Sequence, residues 1–274
     1  MVVSVVELAA DAYLTCLTHA LTTEKEEVMG LLLGEMRDGG RVAFISSAYA
    51  MRRSDKQADR VEIHPEQLSA AAMEAERLAL KLQRPIQVLG WYHSHPHITV
   101  WPSHVDVGTQ ADYQLMDENF IGLIFSCFND SDKRCSAQLI CFQSYSPTEG
   151  SRLEYLQLPV KILPSPHSTL SGACVSALAH LPEILLEEEQ ESYATCQRYC
   201  ENDLLTKIHN GAVYTQRLTH IQQVVCGPVI QTLEEQLQRT QSSLEDLRHR
   251  KTQLKLKLEQ AEQTRPQKIN VSEA

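Results

Sequence analysis

Residues 90–106 read Gly90-Trp91-Tyr92-His93-Ser94-His95-Pro96-His97-Ile98-Thr99-Val100-Trp101-Pro102-Ser103-His104-Val105-Asp106. Reduced to its reactive groups the stretch is H-x-H-P-x6-S-x2-D: two imidazoles, a hydroxyl and a carboxylate. The apolar residues Val88, Leu89, Trp91 and Tyr92 lead into it, so the spacing predicts a strand over 86–93. His93 and His95 stand two apart at the end of that strand, where alternate side chains share a face. Pro96 fixes the direction of the chain just beyond them. Ser103 starts a helix to about Asp117, and Asp106 falls in its first turn. The carboxylate therefore projects beside the helix N-terminus and completes a set with the two imidazoles. Two histidines and one carboxylate are a common protein ligand set for a catalytic zinc with one position open to water. Each residue alone has a plainer role. Ser103 with Asp106 forms a helix cap, and Asp106 suits the helix dipole. His97 and His104 are read as neighbours of the site and not as ligands.

Outward from this stretch, elements alternate irregularly between helix and strand. Val6 to Thr22 reads as a helix, being mostly apolar and free of breakers. An acidic cluster follows (Glu24, Glu26, Glu27). Val28-Met-Gly-Leu-Leu-Leu-Gly34 is then a continuous apolar run, as expected of a strand buried on both faces. Gly39-Gly40 turns the chain into a second strand, Arg41 to Ala50, forming a hairpin. Met51 to Arg60 reads as a polar, mobile loop. Pro65 opens an Ala-rich helix, Glu66 to Leu82. Strands are expected over Ile121 to Asn129, Ser136 to Ser144 and Leu153 to Ile162, with a polar turn at Asp130 to Arg134. The fold class is α/β, a mixed central sheet flanked by helices, over residues 1–163.

The linker 164–170 is marked by Pro164-Ser165-Pro166, and beyond it the strand signal ends. Residues 171–228 read as a helical region broken at Gly211 and at Gly227-Pro228. From Ile230 the apolar positions fall three and four apart: Ile230, Leu233, Leu237, Thr240, Leu244, Leu247, Lys251, Leu254, Leu258, Ala261. Heptads of this kind over 229–263 predict a coiled coil, with Thr240 and Lys251 as polar breaks in the seam. Residues 264–274 read as a disordered tail.

Composition narrows the functional classes. The 274 residues carry a net charge of −10, which argues against a nonspecific nucleic-acid binder that would need a basic face. No apolar run approaches the roughly 18 residues of a membrane helix. The eight cysteines are scattered without a CxxC, and the first residues carry no positive n-region of a secretory signal. Together these suggest reduced thiols in a cytoplasmic or nuclear protein. Cys196 and Cys200, one helical turn apart, read as packing thiols in preference to a metal pair.

Glu27 ahead of Val28-Met-Gly-Leu31, followed by His93-Ser-His95-Pro, Ser103 and Asp106, resembles the JAMM signature of MPN+ metalloproteases. Wider segments resemble the lysine-63-specific deubiquitinase branch of that family, the catalytic subunits of BRISC and BRCA-associated complexes. They are Thr23 to Gly30, Arg60-Val-Glu-Ile63, Gly90 to Asp106, Gly122 to Phe128 and His209 to Tyr214. The resemblance implies an MPN domain, with one Zn2+ held by His93, His95 and Asp106. Glu27 would hold the water and act as general base, and Ser103 would hydrogen-bond near the developing oxyanion. Glu24 and Glu26 compete for the role of base, but Glu27 directly precedes the strand. The implied substrate is lysine-63-linked polyubiquitin. The implied partner is a catalytically silent MPN subunit of the Abraxas type, within a larger assembly acting in the DNA damage response. Two alternatives stay open: an MPN scaffold without activity, and an isopeptidase for another ubiquitin-like modifier.

Overall fold

A computed structural model describes residues 3–53, 65–129, 135–148, 151–165, 170–199 and 203–263. The 51–60 loop beyond Arg53, the 130–134 turn, most of the linker, Cys200 and the tail lie outside the described residues. The centre is an eight-stranded mixed sheet ordered β7-β6-β5-β4-β2-β3-β1-β8. The strands are β1 (Val5–Ala9), β2 (Met29–Arg37), β3 (Val42–Ala50), β4 (Gln87–Pro96), β5 (Ile121–Asn129), β6 (Cys135–Tyr145), β7 (Glu154–Leu158) and β8 (Val160–Leu163). The helices are α1 (Ala10–Ala20), α2 (Pro65–Leu82), α3 (His104–Gln114), α4 (Gly172–Tyr199), α5 (Leu204–His220) and α6 (Gly227–Gln263).

The apolar run after Glu27 is the middle of the sheet. β2 pairs antiparallel with both β3 and β4, and Met29 to Leu33 are all buried, as a strand covered on both faces must be. Alternation divides its side chains between two cores. Leu32 joins Leu8, Cys16, Tyr92 and Phe125 under α1. Met29 and Leu31 join Trp91, Ala71, Ile124 and Phe142 on the opposite side. Fully burying an aromatic or aliphatic side chain of this size stabilises the fold by about 1.5–3 kcal/mol each. α2 lays Ala71, Ala75 and Leu78 toward the sheet, the i, i+4, i+7 stripe of an amphipathic helix. Gly30 is required by close approach: a Cβ there would stand 2.4 Å from the Tyr49 carbonyl oxygen and 2.5 Å from the Tyr92 ring.

Two expectations for this region fail instructively. The predicted helix over Val6 to Thr22 is a strand, β1, and then a shorter helix, α1. β1 lies between β3 and β8, parallel to both, and these long-range pairings override the local helical pattern. The single strand predicted over Leu153 to Ile162 is two strands. β7 pairs with β6 at one end of the strand order and β8 pairs with β1 at the other. Only Pro159 separates them, and its carbonyl accepts from Val6 N at 2.9 Å. One residue cannot span a flat eight-stranded sheet, so the sheet is curled until its two edges meet.

Packing does not divide the chain at the linker, because residues up to Ile230 form one compact unit. Cys174, Leu178, Leu181, Leu185 and Glu188 make the buried face of α4, which packs against α1 and β3. Gly211 does not break the helical region; α5 runs through it. At Gly227-Pro228 the helix also continues, but through a π-helical segment, Ile221–Cys226, in which Gly227 N donates to Gln222 O. Widening to i→i+5 bonds accommodates a proline that has no N–H to give. The second unit, residues 231–274, contains the remainder of α6. Its seam leucines Leu237, Leu244, Leu247, Leu254 and Leu258 are all exposed.

Candidate metal centre

β4 continues past the expected end at His93 to Pro96, so both histidines lie within paired strand. His93 stands opposite Met29 on β2 and opposite Ile124 on β5, and His95 stands opposite Ser126. The imidazoles share the face of Trp91, whose indole stacks on His93 with centroids 4.6 Å apart and planes 16° apart. Trp91 Nε1 donates to Gln110 Oε1 of α3 at 2.7 Å. Gln110 in turn donates to Phe120 O at 2.7 Å.

α3 brings the carboxylate. Ser103 is its N-cap: its Oγ accepts from Asp106 N, and Ser103 N donates to Asp106 Oδ2 at 2.6 Å. This capping box fixes the rotamer of Asp106, so the plain role of the pair and its place in the site are the same hydrogen bonds. Asp106 Oδ1 lies 3.3 Å from His93 Nε2, and Oδ2 lies 3.5 Å from His95 Nε2. The two Nε2 atoms are 3.0 Å apart. His93, His95 and Asp106 are buried, with 0%, 3% and 8% of their surface exposed. Among the described residues this is the cluster able to hold a metal ion.

The donor set fits a divalent cation. His95 Nδ1 donates to the Thr99 carbonyl at 2.7 Å, because a carbonyl can only accept. A neutral ring so held turns its Nε2 lone pair toward His93 and Asp106. This is the usual way an outer partner fixes a ligand's tautomer. Charge agrees. Burial alone would raise the Asp106 carboxyl, but the imidazoles of His93 and His95 facing it hold it well below the usual carboxylate range. Burial would also favour neutral His95, but Asp106, the Thr99 carbonyl and Glu27 raise its pKa. An ionised Asp106, with the Glu27 side chain close to His95, gives the cluster negative charge to offer a cation. One carboxylate with two nitrogens suits zinc better than the all-oxygen shells of calcium or magnesium.

The three glutamates before β2 have separate places. Glu24 pairs with His97 at the surface, 3.3 Å apart. Glu26 accepts from Arg53 at 2.6 Å. Glu27 turns to the cluster, its Oε1 3.9 Å from His95 Nε2. The next residue is fixed to β4 by two bonds: Val28 N donates to Ser94 Oγ, and Ser94 N donates to Val28 O, each at 2.9 Å. His97 adopts a left-handed backbone (φ 57°), and His104 is exposed; neither is in the cluster. Cys196 is exposed. The sequence reading missed Ser94, Thr99, Gln110 and Arg53. Ser94, set between the two histidines of β4, was the one visible signal; the others depend on tertiary contacts.

Comparison with known proteins agrees with this geometry. Residues 2–119 match the family model of the JAB1/Mov34/MPN/PAD-1 ubiquitin proteases, and residues 174–254 match the BRCC36 C-terminal helical domain. The chain is 48% identical over 256 residues to the Lys-63-specific deubiquitinase BRCC36 of Xenopus tropicalis, covering 93% of this chain and 97% of that one. It is 46% identical over 277 residues to a BRCC36-like Lys-63-specific deubiquitinase of Mus musculus, covering 92% and 94%. With the BRCC36 of Homo sapiens it shares 43% over 292 residues, covering 88% and 92%. Buried ligand geometry, curled sheet and both family matches converge: this chain belongs to the JAB1/Mov34/MPN/PAD-1 ubiquitin protease family, in the branch that carries the BRCC36 C-terminal helical domain.

Proposed function

We propose that the chain is a zinc-dependent deubiquitinase that hydrolyses the isopeptide bonds of lysine-63-linked polyubiquitin. The supporting observation is the convergence of His93, His95 and Asp106, with Glu27 beside them. When bound, a zinc ion supplies Lewis-acid polarisation of the scissile carbonyl and brings the pKa of a water to roughly 7. Glu27 takes the proton of the attacking water and hands it to the departing lysine amine. A positioned acid/base group of this kind contributes about 10²–10⁴-fold. Ser103, at the mouth of α3, directs its hydroxyl toward the developing oxyanion, a contribution of about 10²–10³-fold. The burial of the histidines keeps the charge interactions in a low-dielectric setting, where they are strongest.

The exposed heptad leucines of α6 support assembly with a second helix, because a leucine seam is covered by a partner's seam. We assign that partner to the catalytically silent, Abraxas-type MPN subunits, in a BRISC or BRCA-associated complex of the cytoplasm and nucleus that serves the DNA damage response. The test uses the tagged full chain purified from cells with its partners. Glu27→Gln is expected to keep zinc in elemental analysis while losing about 10²–10⁴-fold of lysine-63 diubiquitin cleavage. His95→Ala is expected to lose the zinc as well. Near-normal turnover by Glu27→Gln would remove Glu27 from the mechanism.

A further inference from the structure

Arg53 joins the helical region to the glutamate segment. Its backbone N–H donates to Glu188 Oε1 of α4 at 2.7 Å, and Nε and Nη2 donate to Glu188 Oε2 at 3.0 and 2.6 Å. The remaining arm, Nη1, donates to Glu26 Oε2 at 2.6 Å. The Arg53 side chain is 7% exposed and that of Glu188 1%. Stability alone gives a weak reason for this arrangement. Burying two carboxylates and a guanidinium carries a desolvation penalty that their attraction does no more than offset, and apolar residues of the same shape often do better. α4 already has an apolar face, from Cys174 to Leu185, with which to dock.

Geometry gives a better reason. Glu27 lies between two residues that are each tied down from a different side. Val28 is held to Ser94 of the histidine strand, and Glu26 is held by Arg53. Arg53 itself emerges two residues after Met51, whose N–H donates to Met29 O at 3.1 Å, so its own backbone is anchored to β2. A second tether from the helical region meets the start of the same segment, where His220 Nε2 of α5 donates to Thr22 O at 3.2 Å. The planar fork of an arginine can bind two carboxylates in fixed directions at once, which a lysine ammonium cannot do.

We infer that Arg53, seated by Glu188, is a positioning residue that acts through Glu26 to set the distance of Glu27 from the histidine–aspartate cluster. The inference rests on the reading of Glu27 as general base. It makes α4 part of the catalytic geometry, in addition to any part it has in assembly. A displacement of about 1 Å in a reacting group is enough to cost around 10²-fold.

The test leaves the α4 anchor in place. In Glu26→Ala the Arg53–Glu188 bonds remain, so a purely structural role for the arginine predicts normal catalysis. Lysine-63 diubiquitin cleavage by the full chain, purified from cells with its partners, is measured for wild type, Glu26→Ala, Glu27→Gln and the double variant. We expect Glu26→Ala to lower kcat about 10–10²-fold with KM and zinc content unchanged. We expect the double variant to be no slower than Glu27→Gln, since a misplaced base matters only while the base is present. Arg53→Lys should reproduce the kcat loss of Glu26→Ala. Wild-type kcat in Glu26→Ala, or losses that multiply in the double variant, would overturn the inference. Near-normal turnover in Glu27→Gln would instead overturn the assignment of the base, and is read separately.

Discussion

Gln110 tests whether the shell behind the histidines matters. Its side chain is fully buried and stands between Trp91 Nε1 on one side and Phe120 O and Gln114 Oε1 on the other. Gln110→Leu keeps much of the volume but deletes every polar atom. Phe120 O retains Gln143 Nε2 at 3.0 Å, and Gln114 Oε1 retains Ser144 N at 2.7 Å. The Trp91 indole N–H loses its Gln110 acceptor. A buried donor left unpaired costs about 1–3 kcal/mol. At about 2–4 °C per kcal/mol for a unit of this size, the melting temperature should fall by roughly 2–12 °C. Because the Trp91 indole lies flat on His93, movement of the ring should also loosen the ligand. Loss of an outer partner typically weakens metal affinity by about 10–100-fold. Calorimetry reads the first effect and competition with a chromogenic zinc chelator the second. In a Trp91→Phe background the N–H is already gone, so Gln110→Leu should then cost at least about 1 kcal/mol less. Strictly additive losses, or wild-type melting and zinc affinity in Gln110→Leu, would refute the account.

Two further outcomes are expected. Burial, reinforced by the charge of Arg53, lowers the pKa of His19 from 6.5 to about 3. The unfolded chain therefore binds a proton below pH 6.5 that the folded chain refuses, so the stability tied to neutral His19 is present above pH 6.5 and lost as pH falls toward 3. The loss between pH 7 and pH 5 should be about 2 kcal/mol; urea unfolding of wild type and His19→Gln at the two pH values should show the variant's difference smaller by that amount, and equal slopes would contradict it. On α6, Leu247→Glu with Leu254→Glu replaces exposed seam residues, so the melting temperature should move by no more than about 0.5 kcal/mol per substitution would allow, while co-purification of partner subunits is lost. A partner still bound at wild-type yield would show that the seam is not the interface.

The legibility of the fold followed the range of the interactions. β2 was readable because a strand buried on both faces is apolar at every position, from Val28 to Leu33. α3 was readable because its start signal, Ser103 with Asp106, is local. The hairpin of β2 and β3 was readable through Gly39-Gly40. β1 was not, because Val6 and Leu8 gain their strand partners from segments near Val42 and near residue 160, which no window around residue 8 contains. The splitting of the last strand at Pro159 was visible only as a proline within an apolar alternation. At the site, spacing along β4 conveyed the shared face of His93 and His95. Which glutamate faces them depends on Arg53 engaging Glu26 and His97 engaging Glu24, contacts made across 27 and 73 positions of sequence. Gly211 looked like a break because glycine weakens helices on average; within α5 that modest cost is outweighed by packing on α4.

The meeting of the sheet's two edges at Pro159 has a consequence for biosynthesis. The strand Val5–Ala9 leaves the ribosome well before one of its two neighbours, Val160 to Leu163, which is made only when the whole histidine and aspartate region has already emerged. Until then its outer rim is a naked template for foreign strands, and closure must await a pairing of very distant segments, the slowest kind. A nascent chain stalled before Pro159 should therefore need a holding chaperone, and one that has passed Leu163 should be released from it.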